Sequence, residues 1–412
     1  MGIEIRPIVE DELDAYLAAC HRGFGGEPLE GEAERVRDVI GLDRTHAAFD
    51  GSRIVGTFAA YGFPLSVPGT DLTGRSVPAA GLTWVTVAAT HRRRGILTAM
   101  VDAHFADAES RGELLSVLWA SEIAIYGRFG YGQAADNVDL SYDGRLAGIR
   151  RPERPDDVDF FELDEAREIV PELRERYRRS RPGHYGRSPA WWEHRRYPDA
   201  EAFREGASPL RWVVARRDGT PVGYTCFRHL RRWTDDDLPD GEVKVDEVVG
   251  VDDEARHTLW WFLSNIDLFP HVKFWTMPTD SVLPWLAADQ RAVRRKVSDG
   301  IHLRLLDVPA ALASRSWDAP GELVFRLRDT QRPDQAGNYR LTASADGTAS
   351  CEPDDDEPSI DLDVAALGAL YLGSRTGVEL AAAGLLAGSP ASIDRARRLF
   401  AWPIAAWCDE MF

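Results

Sequence analysis

"VTVAATHRRRGILTAM" (residues 85–100) runs a strand of β-branched residues into three arginines and a glycine, and then into a helical pattern. A buried strand that hands the chain to a tight turn at a helix N-terminus leaves backbone N–H groups without partners and concentrates partial positive charge. That arrangement is a ready anion site. Gly95 lets a ligand approach the backbone, and Arg92, Arg93 and Arg94 add charges that fork onto phosphate. Solvated arginines in a loop are the plainer alternative. Position weighs against it, because cations at a helix N-terminus oppose the dipole unless an anion compensates.

Upstream, "IEIRPI" reads as a strand and Asp11 to Phe24 as a helix, with Leu13, Tyr16, Leu17 and Cys20 at i, i+3, i+4, i+7. "HAAFDGSRIVGTFAAYGF" (46–63) is two β-rich runs around Asp50-Gly51, a strong hairpin signal. "GLTWVTV" (81–87) is a nearly uninterrupted strand. Downstream, Gly95 to Ser110 keeps helical spacing, "LLSVLWAS" (114–121) is a strand, and "EIAIYGRFGYG" (122–132) is a short helix ending at glycines. The order β-α-β-β-β-α-β-α predicts an α/β fold: a mixed sheet with a helical crossover after its central strand.

"YDGRLAGIRRPERPDDVDF" (142–160) has the Pro, Gly and charge density of a linker. Beyond it the pattern repeats. "WVVARRDGTPVGYTCFRH" (212–229) echoes the first hairpin, and "GEVKVDEVVGVDDEARHTLWWFLSNI" (241–266) echoes the strand, loop and helix of 79–104. The loop has changed: Ala255 to Thr258 stand where Arg92 to Gly95 stood, behind Asp252, Asp253 and Glu254. One live and one dead copy of the same fold is the simplest account. From Asp299 the character shifts to an α+β pattern, with "ELVFRLRD", a hairpin at Asp346-Gly347, and helical "DVAALGALYLG" and "SIDRARRLFAWPI". Domains are expected at 1–143, 144–298 and 299–412.

The 412 residues exceed one core at roughly 150 residues per domain. With 49 basic against 67 acidic residues the net charge is -18, which argues against nucleic acid and anionic membranes and suits a cationic partner. The four cysteines form no C-x-x-C pair and the ten histidines show no metal spacing, so a reduced, metal-free, cytoplasmic protein is expected. No apolar run approaches the about 20 residues of a membrane span. The basic run "ERYRRSRPGHYGR" (175–187) reads as a solvated helix face with a Pro-Gly exit rather than a nucleic-acid surface. G-x-S-x-G, G-x-x-x-x-G-K-[ST] and G-x-G-x-x-G are all missing, so hydrolase, NTPase and dehydrogenase chemistry has no support.

The opening stretch resembles motif A of the GNAT acyltransferases, R/Q-x-x-G-x-G/A, with Arg92 and Gly95 matching and Leu97 in place of the usual small residue. Joined to "ASEIAIYGRFGYG", a degenerate second half and a third domain ending in Phe412, the chain resembles the Eis (enhanced intracellular survival) family of N-acetyltransferases over essentially its whole length. The resemblance implies tandem GNAT folds with a sterol-carrier-like C-terminal domain, acetyl-CoA as cosubstrate and a hexamer. It implies that backbone groups of Val85, Thr86 and Val87 line the pantetheine, that Arg92, Arg93, Arg94, Gly95, Ile96, Leu97 and Thr98 cradle the pyrophosphate, and that Ser121 and Glu122 flank the reacting end. Tyr126 matches the general acid and the Phe412 carboxylate the general base, with Phe24, Trp84 and Trp119 around the acceptor mouth. Direct attack in a ternary complex is expected, on an aminoglycoside, polyamine or lysine-type amine, drawn by an acidic rim such as Glu27, Glu30 or Glu32. Gly25 and Gly26 stand where relatives can carry an acidic pocket residue, a departure that counts against aminoglycosides. The sterol-carrier likeness also raises a lipid-binding or scaffold function, against a platform that shapes the pocket and delivers Phe412.

Overall fold

The computed structural model describes residues 2–29, 31–69, 75–201 and 204–412. Its first elements follow local signals. β1 (Glu4–Pro7) leads to the helix Leu13–Phe24, which buries Leu13, Tyr16, Leu17 and Cys20, the face its spacing sets. β2 (Thr45–Asp50) and β3 (Arg53–Val67) turn at Gly51, whose φ of 62° is the left-handed value glycine adopts without strain. β4 (Arg75–Val87) returns antiparallel, the helix Ile96–Ser110 crosses over, and β5 (Leu115–Trp119) lies parallel to β4. β4 begins well before the "GLTWVTV" run. Its first half carries Pro78 directly opposite Pro64 of β3, and proline disguises a strand.

After β6 (Gly132–Gln133) come β7 (Asp136–Asp143), β8 (Asp157–Phe161), β9 (Arg211–Arg217), β10 (Thr220–Leu230), β11 (Glu242–Gly250), β12 (His271–Phe274), β13 (Arg294–Asp299) and β14 (Ile301–Leu305). They do not divide at 143/144 and 298/299. The first sheet runs β1-β2-β3-β4-β5-β14-β6 and the second β13-β7-β12-β11-β10-β9-β8, so the two halves exchange a strand. β14 is buried along its length between β5 and β6, and its Arg304 is neutralised by Asp329 at 2.5 Å. The stretch 142–160 is correspondingly no free linker: Tyr142 pairs with Val272, and Ile149 is buried.

The third sheet orders β17 (Ala349–Pro353), β16 (Gly337–Ala343), β15 (Gly321–Arg328), β18 (Ile360–Asp363) and β19 (Leu386–Gly388). Leu323, Phe325, Leu341, Ile360, Leu362, Leu367 and Leu370 fill its interior. Its helix Val364–Tyr371 lies directly on the first sheet. A Cβ added at Gly132 would collide with Ala365 O, and one at Gly368 with Leu303 O, so glycine on each side permits backbone-to-backbone packing. Gly132→Ala is expected to cost about 3 kcal/mol, because neither backbone can yield as a side chain would. Thermal unfolding checks this: the midpoint falls clearly below that of an Ala substitution at exposed Gly337, where a Cβ meets nothing within 4 Å.

Candidate active site

β4 and β5 pair in parallel only from Ala79↔Leu115 to Gly81↔Val117, and beyond that point they splay. Just past the split β4 bulges. Thr57 faces Thr86 and Ala59 faces Thr83, so Trp84 and Val85 together oppose one residue of β3, and Trp84 takes a φ of 55°. The backbone of β4 from Leu82 onward therefore has no ladder partner on the β5 side. Gly95, at φ 77°, then opens the helix Ile96–Ser110 with no side-chain cap and no acidic residue in the first turn. Its free N–H groups face a cavity of about 1090 Å³.

The expected residues converge there. Phe24, Trp84, Val85, Thr86, Val87, Arg92, Arg93, Gly95, Ile96, Leu97, Thr98, Trp119, Ser121, Glu122, Tyr126 and Phe412 all line that cavity. Arg94 does not; it is exposed outside the lining. Tyr126 is half-buried on the short helix Ile123–Tyr126, and burial, reinforced by the Glu122 carboxylate, pushes its phenol up to about 12. It stays protonated at neutral pH.

Phe412 is buried, its ring against Tyr61, Phe63 and Tyr185, and its carbonyl oxygen accepts a hydrogen bond from the Thr83 hydroxyl at 3.3 Å. The residues before it are gripped by the middle domain. Arg174 reaches Asp409 at 2.8 Å, Arg187 reaches Glu410 at 2.8 Å and Glu247 at 2.7 Å, and Arg195 donates to Met411 O at 3.0 Å. This corrects the reading of 175–187 as a solvated face: Arg178, His184, Tyr185 and Arg187 point inward, and the counter-ions of Arg187, Glu247 and Glu410, lie far away in sequence. Burial pushes the Glu410 carboxyl up, but the guanidiniums of Arg187 and Arg196 outweigh it and hold the group below its ordinary value. The lowered folded-state pKa makes this stabilisation complete above the unfolded carboxylate pKa of about 4.3 and lost as pH falls through the folded value. Thermal midpoints measured downward from pH 7 should hold to about pH 5 and then drop, and Glu410→Gln should flatten that drop.

The acidic rim is not formed as expected. Glu32 is buried between His21 at 2.6 Å and Arg35 at 2.7 Å, Glu27 lies outside the lining, and Glu30 lies outside the described residues. Arg35, His91, Arg128 and Arg195 line the cavity without having been anticipated. Arg195 arrives from the middle domain, and no local pattern announces it.

The middle domain repeats the framework and blocks it. β11 and β12 part after Val245↔Phe274, and a bulge falls at the same place, between Cys226↔Glu247 and Phe227↔Val245. Its helix Asp253–Ser264 is capped by Asp252, which accepts from Ala255 N at 2.9 Å and pairs with Arg217 at 2.8 Å. A carboxylate already occupies the position of the anion.

A splayed, bulged strand leading to an uncapped helix is the acyl-CoA framework of GNAT acyltransferases, and comparison with known proteins agrees. Residues 4–134 and 183–305 each match an Acetyltransferase (GNAT) domain family, and 308–409 match the Sterol carrier protein domain. A Streptomyces avermitilis protein named "Uncharacterized N-acetyltransferase" is 38% identical over 100% of both chains. "N-acetyltransferase Eis" of Mycobacterium tuberculosis is 34% identical over 82% of this chain and 80% of its own. The crystal structure of Eis1 from Mycobacterium abscessus superposes with a TM-score of 0.84 at 31% identity, covering 99% of this chain and 100% of that one. The chain belongs to the Eis-type GNAT N-acetyltransferases. Among the described residues no helix is long and apolar enough to cross a membrane, and no group of three or more His, Cys, Asp or Glu could hold a metal ion.

Proposed function

We propose that this N-acetyltransferase moves the acetyl group of acetyl-CoA to a primary amine by direct attack in a ternary complex. One observation carries the reading: a single cavity joins the uncapped helix, the splayed β4, Tyr126 and Phe412. The pyrophosphate sits on the N–H groups after Gly95 with Arg92 and Arg93 beside it, and the pantetheine runs along Val85 to Val87. Backbone N–H groups at the bulge polarise the thioester carbonyl. The Phe412 carboxylate, at the last residue of the sequence, takes a proton from the attacking amine. As the C–N bond forms and the C–S bond breaks, Tyr126 gives its proton to the departing thiolate, leaving an N-acetyl amide and CoA thiol. A covalent acetyl-cysteine route has no support: Cys20, Cys226, Cys351 and Cys408 are all buried, and none lines the cavity.

The third domain serves this reading as a platform, its interior filled by its own side chains and its last residues delivered into the first domain's cavity. A hexameric, cytoplasmic enzyme belongs to the same proposal. The test is initial-rate kinetics with a thiol reagent reporting CoA release and mass spectrometry reporting the acetylated amine. Intersecting double-reciprocal lines support the ternary complex; parallel lines, or an acetylated protein, refute it.

A further inference from the structure

The basic side chains that line the cavity are Arg35, His91, Arg92, Arg93, Arg128 and Arg195. Several are already engaged within the protein. Arg35 pairs with Glu32 at 2.7 Å, and the His91 ring lies between Asp50 at 3.3 Å and Thr90 at 2.8 Å. Arg195 donates to the Tyr61 hydroxyl at 2.7 Å and to Met411 O at 3.0 Å. Arg92 gives its Nε to Val87 O at 3.4 Å, which leaves the outer fork of its guanidinium unused. Arg93 and Arg128 make no hydrogen bond or ion pair with any described residue, and Arg94 lies outside the lining. The segment after β4 thus supplies Arg92 and Arg93, and the segment after β5 supplies Arg128. Arg128 stands on the turn Gly127–Phe129, with its guanidinium over the Phe129 ring, 4.8 Å from the centroid. Phe129 is buried and its carbonyl accepts from Arg304 at 2.7 Å, so the turn is anchored on its inner side while Arg128 itself is exposed.

Resting on the acetyl-CoA reading, in which Arg92, Arg93 and the helix after Gly95 hold the pyrophosphate, we propose that Arg128 binds the 3′-phosphate of the coenzyme's adenosine and selects CoA over its 3′-dephospho form. A phosphomonoester carries a charge of about −1.5 to −2 at pH 7. Once the pyrophosphate has taken Arg92, Arg93 and the helix N–H groups, this third phosphate needs a donor fork of its own. Among the described lining residues Arg128 is the cation left for it, and a planar guanidinium on an anchored turn suits a forked contact. Glu122, the lining carboxylate on the same segment, forms no ion pair with Arg128 that would cancel its charge. The 3′-phosphate is remote from the thioester, so its contact is equally strong before and during acetyl transfer; Arg128 therefore sets affinity for the donor and not the rate of the chemical step.

The test is calorimetric titration of CoA and of 3′-dephospho-CoA into the full chain, as wild type, Arg128→Gln and Arg93→Gln. The wild type is expected to bind CoA about tenfold or more tightly than dephospho-CoA. Arg128→Gln should weaken CoA by about that factor and leave dephospho-CoA within about twofold, so that the preference falls below about threefold. Arg93→Gln should weaken both ligands and keep their ratio, because the pyrophosphate is common to the two. With acetyl-CoA as donor, Arg128→Gln should raise KM about tenfold and leave kcat within about twofold. Equal affinity of the wild type for the two ligands overturns the assignment without reference to any variant, and a wild-type ratio retained in Arg128→Gln overturns it as well. A ratio lost in Arg93→Gln but kept in Arg128→Gln would put the 3′-phosphate at the helix instead. If the wild type binds neither ligand, the acetyl-CoA reading falls together with this assignment; if it binds both alike, only the assignment falls.

Discussion

Replacing the Phe412 carboxylate by an amide through semisynthesis should lower kcat by about 10²- to 10⁴-fold, the range for loss of a positioned base. Acetyl-CoA affinity should change less than about twofold, because in the proposed function that substrate is held by the Gly95 helix and β4. The amide keeps the Phe412 ring in its aromatic nest and can still accept from Thr83, so stability should be nearly unchanged. Deleting the residue would confound base and packing, since the ring is buried and its loss would open a cavity. A single glycine added after Phe412 gives a genetic version of the experiment: it moves the carboxylate off the residue that Thr83 and the ring hold. An amide variant with full turnover would remove the terminal carboxylate from the mechanism.

Tyr126→Phe should cost about 10²- to 10³-fold in kcat with acetyl-CoA affinity unchanged, because in the proposed function the phenol acts on the leaving thiolate and the ring remains in place. The pH dependence has a defined sign. A phenol raised to about 12 remains a proton donor throughout the accessible alkaline range, so Tyr126 contributes no fall in wild-type kcat below pH 11. A wild-type alkaline limb between pH 8 and 10 that vanishes in Tyr126→Phe would show that the group titrates far lower and that the cavity does not bury it as described.

Features built from neighbours in sequence were legible. The Asp50-Gly51 hairpin, the buried face of Leu13–Phe24, and the strand, loop and helix around Gly95 each follow from local spacing and turn chemistry. The anion-binding turn at Arg92–Gly95 was legible for the same reason, whereas Trp84, Trp119, Ser121, Glu122 and Tyr126 entered through the resemblance to the Eis family. Features that depend on a distant partner were not. β14 carries His302 and Arg304 among Ile301, Leu303 and Leu305, and no local motif announces its burial; Asp329 and Phe129 O satisfy Arg304, and β7 lies in the second sheet. Arg187 reads as solvated until Glu410 and Glu247 are brought against it. Glu32 reads as a rim carboxylate until His21 and Arg35 close on it. Charge pattern alone does not distinguish a solvated arginine from one paired across some two hundred residues.

The central claim is that one half of the duplicated fold holds acetyl-CoA at the uncapped helix and the other holds its own carboxylate there. Calorimetric titration of acetyl-CoA into the wild type and into Gly95→Asp tests it most directly, because the substitution gives the live helix the cap that Asp252 gives the dead one. One site per chain, weakened by about 100-fold or more in Gly95→Asp with the fold intact by circular dichroism, is the predicted result. Two sites per chain, or full affinity in Gly95→Asp, would contradict it.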